Sequence, residues 1–223
     1  MTELSVQWCD VRAARFACQR WHYSHTLPVG RLATFGVWED ERFIGAVVFG
    51  RGANYHLGDA FGLMIGQYVE LNRIALHTHE HPVSMIGARA LRALHEHAPE
   101  LRLVISYADP RQGHTGGIYQ AMNWRYLGQS APSRHFVMPD GSVVHQRAAT
   151  AGNFNGPRVP APPGGVLRVI DGKHKYAVGF DRAMKRKLAA MAKPYPCGGR
   201  LKGEPADFRS EGAGSIPAHR STK

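Results

Sequence analysis

Apolar positions along this chain recur at two spacings, the helical 3.6 and the strand 2, and their order predicts an α/β fold. Within residues 10–22, Val11, Ala14, Phe16, Ala17, Cys18 and Trp21 fit one helical face, with Asp10 placed to cap the first turn. Residues 31–38 and 43–50 are β-rich runs joined by the polar Glu39-Asp40-Glu41-Arg42, which reads as an antiparallel hairpin. The glycine-rich stretch 50–66 reads as a loop. Residues 68–76, YVELNRIAL, alternate as a half-buried strand does, which sets Arg73 on the face of Leu71 and Ala75. Pro82 suits the first turn of a helix reaching about residue 97, with Met85, Ile86, Ala90, Leu91 and Leu94 on its buried face.

Leu103, Val104 and Ile105 predict a strand covered on both faces, stopped at Asp109-Pro110. A short helix carrying Tyr119 follows, so Asp109, His114 and Tyr119 are expected together beyond a strand end, where open α/β sheets gather ligands. Residues 124–128, 134–138 and 142–146 read as strands, the last two separated by the turn Pro139-Asp140-Gly141. The run GPRVPAPPGG can form neither ladder nor helix and reads as linker. Beyond it, residues 166–170 and 176–178 pattern as a hairpin across Asp171-Gly172, and 181–192 as a helix. These signals divide the chain into a body at 1–150, a linker at 151–165, a basic segment at 166–200 and a disordered tail at 201–223.

Charge sharpens that division. Residues 1–150 hold 14 Arg, no Lys and 12 acids, net +2, whereas 151–223 hold 7 Arg, 7 Lys and 5 acids, net +9. A basic appendage on a nearly neutral body suits a polyanion, and Arg182, Lys185, Arg186 and Lys187 cluster on its helix. Three cysteines at unrelated spacings argue against a disulfide framework and for a reducing, cytoplasmic setting. No apolar run reaches the ~18 residues of a membrane span, and the first residues do not read as a signal peptide.

The element order resembles the GNAT acyltransferase fold, a central mixed, largely antiparallel sheet flanked by helices, here with a basic C-terminal extension. Ile118-Tyr119, three residues, then Asn123-Trp124 is similar to a motif many of its members carry. That resemblance implies that Tyr119 lies beside the sulfur of coenzyme A, where a phenol of pKa near ~10 keeps a proton for the departing thiolate. It places the coenzyme's pyrophosphate at the start of the helix after Pro82, on Val83, Ser84 and Gly87, although the usual glycine-rich signature is missing. His77, His79 and His81 alternate as metal ligands, solvent-facing residues or phosphate contacts all would.

Four further stretches, WHYSHTLPVG, FIGAVVFGRGANYHLG, VELNRIAL and SYADPRQGHTGGIYQAMNWRYLG, together resemble the phage Mom proteins over residues 20–147. HKYAVGFDRAMKRKL followed by KPYP is similar to their basic C-terminal segment. This resemblance implies an active site at His22, Arg73, Ser106, Asp109 and Tyr119, acetyl-CoA as ligand, and a carbamoylmethyl group placed on adenine N6 of double-stranded DNA to shield it from restriction. It also implies an Fe2+ ion, for which His22, Asp109 and His114 are the candidate ligands.

The residues themselves leave alternatives open. Asp109 or His22 suits a general base, but Asp109 equally suits a cap and His22 a helix-end residue bonding carbonyls. Arg73 needs a carboxylate or phosphate partner, supplied by Asp109 or the coenzyme. An extruded adenine would stack on Trp21, Tyr23 or Tyr55, with the basic helix on the phosphates. Two rival readings are a GNAT N-acetyltransferase of proteins or small amines and a non-catalytic DNA-binding protein. The oligomeric state is open, a homodimer among the forms allowed.

Overall fold

In the computed structural model the described residues are 2–52, 54, 56–146 and 161–196. Among them ten strands and four helices follow in order: β1 (Leu4–Trp8), α1 (Val11–Trp21), β2 (Leu32–Glu39), β3 (Arg42–Gly50), β4 (Tyr68–Leu76), α2 (Val83–His97), β5 (Leu103–Ala108), α3 (Gly117–Ala121), β6 (Arg125–Gln129), β7 (Ser133–Val137), β8 (Val143–His145), β9 (Val166–Ile170), β10 (His174–Gly179) and α4 (Arg182–Met191). The main sheet runs β1-β2-β3-β4-β5-β10-β6, and β8-β7-β9 form a second, small one. Every neighbour in the main sheet is antiparallel except β4 and β5.

Asp10 caps α1 as expected, accepting from the Arg12 N–H, and a side-chain bond from the Met184 N–H to Asp181 caps α4. Two expectations of burial fail. On α2 the buried side is Ile86, Gly87, Ala90, Leu91 and Leu94, while Met85 turns outward at 43% exposure. On α1 only Ala14, Ala17 and Cys18 are buried, and Val11 and Phe16 face outward.

Alternation on the strands splits the interior in two. Val47, Phe49, Leu71, Val104 and Tyr176 pack toward α2 and α3. Ala46, Val48 and Ala75 pack against α1, while Leu103, Ile105 and Ala177 pack against Met184 and Leu188 of α4 and the loop residues Leu57, Phe61 and Leu63. Helices α1 and α4 therefore share one face of the sheet.

The expected hairpin of 166–170 with 176–178 does not form. β9 pairs with β7, and β10 enters the main sheet between β5 and β6. The reason is burial: Tyr176 and Ala177 are each fully covered, on opposite faces, which an appended hairpin could not achieve. A segment read as lying outside the body thus supplies an inner strand. β1, missed by spacing, is a half-exposed edge strand on β2. The expected linker up to residue 160 and the tail from 201 lie outside the described residues.

Candidate functional site

β4 and β5 pair over only three positions, Tyr68 with Leu103, Val69 with Val104 and Glu70 with Ile105, though both strands run on. Beyond Ile105 the ladder stops, and Ser106 Oγ donates instead to the Leu71 carbonyl at 2.7 Å. Its hydroxyl proton being spent there, Ser106 accepts from the Tyr119 hydroxyl at 2.8 Å. Tyr119 is buried beside Trp124 and Tyr176. Burial pushes its phenol up to about 12, against the opposing pull of the Ser106 bond.

The partner side of the seam is reshaped by a bulge. Val48 faces Arg73 and Phe49 faces Leu71, so Asn72 is the extra residue. One inserted residue reverses the phase of alternation, and the expected common face of Leu71, Arg73 and Ala75 does not exist. Leu71 packs toward α2, whereas Arg73 lies on the α1 side with Ala75. Arg73 Nη1 donates to the Asn72 carbonyl at 2.7 Å. Two buried polar atoms at the bulge, Asn72 Oδ1 and Arg73 Nε, have no partner.

Glu70, which spacing did not single out, stands next to them. Burial pushes its carboxyl above the ordinary value, against the Asn72 hydrogen bond and the charges of Arg73 and Lys173. Tyr107, pushed up to about 12 by burial and then by the Glu70 charge, borders it. The signal was present: a charge on an alternating strand demands a partner at Glu70 as much as at Arg73.

Asp109 has a different role from that of a free base. It caps the 3-10 turn at Pro110–Gln112 and pairs with Arg111 at 2.7 Å and Lys173 at 3.2 Å. Burial opposes its charge, but hydrogen bonds and charge from Arg111 and Lys173 outweigh it and hold the carboxyl well below the carboxylate range. Lys173, also unforeseen, is fixed by backbone bonds to Ser130 just before β10. Asp109 is therefore not the partner of Arg73.

His22 ends α1. Its N–H bonds the Cys18 carbonyl, and its ring, rather than bonding a carbonyl, takes the Ser24 N–H onto Nδ1 at 3.1 Å. Burial first, then Arg73, His114, His25 and Lys173, push the imidazole down to about 3. A neutral ring with Nδ1 accepting keeps its proton on Nε2 and offers a donor. Tyr23 touches the tilted ring of His22 and meets His114 edge-to-face, with 45% of its surface open. Trp21, by contrast, is spent on Phe16, Phe43 and His77, and Tyr55 lies outside the described residues.

The residues named for iron do not fit it. Among the described residues no group of three His, Cys, Asp or Glu can hold a metal ion. Asp109 is matched by two cations and His22 Nδ1 by Ser24, so neither offers a metal a free lone pair. The histidine row is also absorbed: His81 pairs with the buried Glu39 at 3.0 Å, and His79 bonds the His77 carbonyl. A coenzyme A pyrophosphate fits better. The first helical bond of α2 joins the Met85 N–H to Pro82, which leaves the Val83 and Ser84 N–H groups ahead of it. Gly87 serves packing instead, since a Cβ there would stand 2.7 Å from Met122 Sδ on α3's flank. The four cations of α4 are all exposed.

Fold and cluster together define an α/β protein whose mixed sheet opens into a polar seam at its parallel pair. A model of the Mom protein family matches residues 3–197, and the chain belongs to that family. It is 29% identical over 160 residues to the methylcarbamoylase Mom of Escherichia phage Mu, a match covering 70% of this chain and 66%, just under two thirds, of that relative. Solved structures with some likeness include an acetyltransferase from Thermus thermophilus, at 12% identity and TM-score 0.40 over 79% of this chain and 97% of that one. Another is the AHL synthase LasI, at 11% identity and TM-score 0.44 over 85% and 96%. Likenesses this distant say nothing of chemistry. No described helix is long and apolar enough to cross a membrane.

Proposed function

We propose that this protein is a transferase acting on adenine N6 in double-stranded DNA, where it installs the carbamoylmethyl group that shields phage DNA from restriction in the host cytoplasm. The observation that carries this reading is the β4 bulge, where a buried acceptor, Asn72 Oδ1, and a buried donor, Arg73 Nε, lack partners beside Glu70. An exocyclic amine answers the first and a carbonyl or phosphate oxygen the second. Membership of the Mom family supports DNA as the bearer of that amine.

Adenine N6 is a weak nucleophile because its lone pair is delocalised into the ring, so positioning and proton removal decide the rate. Glu70 accepts the N6 proton. Burial suits it for that task, whereas the doubly paired Asp109 holds Arg111 and Lys173 in place. His22 offers its Nε2–H and Tyr119, through Ser106, holds a proton at the seam. Tyr23 stacks on the base. Val83 and Ser84 would hold the pyrophosphate of a coenzyme A thioester, which supplies an activated two-carbon unit. The amine that displaces the thiol to form the amide, and the two-electron oxidant that the bond from the methyl carbon to N6 requires, come from further reactants.

Mass spectrometry of nucleosides from plasmid DNA after expression is the test. A modified deoxyadenosine is expected with the wild-type chain and lost in Glu70→Gln. Unmodified DNA from folded protein, or acetylation of amines without any need for DNA, would overturn the reading.

A further inference from the structure

The loop from β3 to β4 carries an apolar tip, Leu63-Met64-Ile65, between two glycines with left-handed backbone, Gly62 at φ 64° and Gly66 at φ 98°. Met64 is 72% exposed and Ile65 59%. The tip is nonetheless rigidly based. Phe61 and Leu63 are buried against Met184 and Leu188 of α4, and the Leu63 N–H donates to the Gly58 carbonyl at 3.1 Å. A tight turn closes the end, with the Met64 N–H on Gln67 Oε1 at 3.0 Å and the Gln67 N–H on the Met64 carbonyl at 3.1 Å.

Beside the tip lies the cationic side of α4. Arg182, Lys185, Arg186 and Lys187 point outward, and Lys187 Nζ sits 3.8 Å from where a Cβ on Gly62 would stand. Of the two acids nearby, Asp181 is paired with Arg102 at 2.7 Å and Asp59 is hydrogen-bonded to His56 at 2.9 Å. The loop also begins at the candidate site, since Gly52, at φ 71°, lies against the Glu70 carboxylate, which a Cβ there would displace. Glu70 and α4 share one face of the sheet.

We propose that Met64 and Ile65 form a wedge that enters duplex DNA while α4 holds the adjoining phosphates. The inference rests on the reading of DNA as substrate. A base taken out of the stack leaves a gap, and short apolar side chains are what proteins insert between base steps. The charge beside the tip matches a phosphate backbone, and two side chains are too small an apolar area to anchor a protein in lipid.

The full chain is titrated onto a duplex with 2-aminopurine placed next to an intact adenine, reading fluorescence for unstacking and anisotropy for binding. The double variant M64S/I65S, both positions being exposed, keeps its fold by circular dichroism and keeps its salt-sensitive binding. Its fluorescence rise falls roughly tenfold, as the loss of a wedge demands. A rise equal to that of the wild-type chain, no rise with the wild-type chain, or an effect confined to binding of anionic phosphatidylserine vesicles would overturn the wedge. If the wild-type chain unstacks the base through Met64 and Ile65 but leaves plasmid DNA unmodified, the wedge stands and the transfer reading falls. If DNA is modified while M64S/I65S matches the wild-type chain in both assays, the wedge falls alone.

Discussion

His22 shows how one residue's surroundings reverse its expected chemistry. Unfolded, the imidazole titrates near 6.5, whereas in the fold burial first, then its neighbours Arg73, His114, His25 and Lys173, push it down to about 3. Between those values the unfolded chain binds the extra proton, so stability is unaffected above about 6.5 and falls as the pH drops toward 3. Denaturation midpoints should decline across this window, and His22→Gln should flatten the decline. Asp181, held at about 2 chiefly by its Arg102 bond, adds a loss only below its ordinary 3.8, so the two are separable. Tyr119 and Ser106 allow a second residue-scale prediction. Tyr119→Phe removes one donor while Ser106 keeps its bond to Leu71, costing about 1 kcal/mol. Ser106→Ala leaves the Tyr119 hydroxyl and the Leu71 carbonyl both unpaired and should cost more in urea unfolding. The opposite ranking would remove Ser106 from the centre of the chain of bonds.

At the scale of elements, β10 decides most. It carries Lys173 to Asp109 and closes the sheet between β5 and β6. Gly172 makes the approach possible, because a Cβ there would collide with the Ser130 carbonyl, which is backbone and cannot swing aside. Gly172→Ala is therefore expected to cost about 1–3 kcal/mol and to loosen Lys173 from Asp109. Calorimetry would register the first, and a raised Asp109 titration by NMR the second. Spacing was enough to place α1, β2 to β5, α2, α3 and α4, since each carries its own periodicity and punctuation. It could not find the bulge at Asn72, because one extra residue leaves no compositional mark, nor the insertion of β10, because strand partners are chosen over long sequence distances.

For the molecule as a whole, charge and covering face coincide. The basic segment is not a detachable tail: ending the chain at residue 165 would uncover the edges of β5 and β6 and strip Met184 and Leu188 from the interior. Such a truncation should yield insoluble or unfolded protein by circular dichroism. A soluble, folded product would show that 166–196 is dispensable to the body. Exposed on α4, Lys185 and Arg186 can be reversed without touching that interior. K185E/R186E should weaken duplex binding and lower the slope of log affinity against log salt by about 1 for each phosphate no longer neutralised. An unchanged slope would move the DNA to another face.

Sequence by itself determined the kinds of every element but β1, the cap of α1 and the stop after β5, the basic face of α4 and which residues stand beyond the end of β5. These are local properties, written in periodicity and turn chemistry over a few residues. Tertiary structure alone decided which strands became neighbours, which face Arg73 took, and that Glu70 and Lys173 joined the seam while Asp109 became the electrostatic anchor of Arg111 and Lys173. Such outcomes depend on burying two faces of one sheet at once, and that balance exists only when distant segments meet.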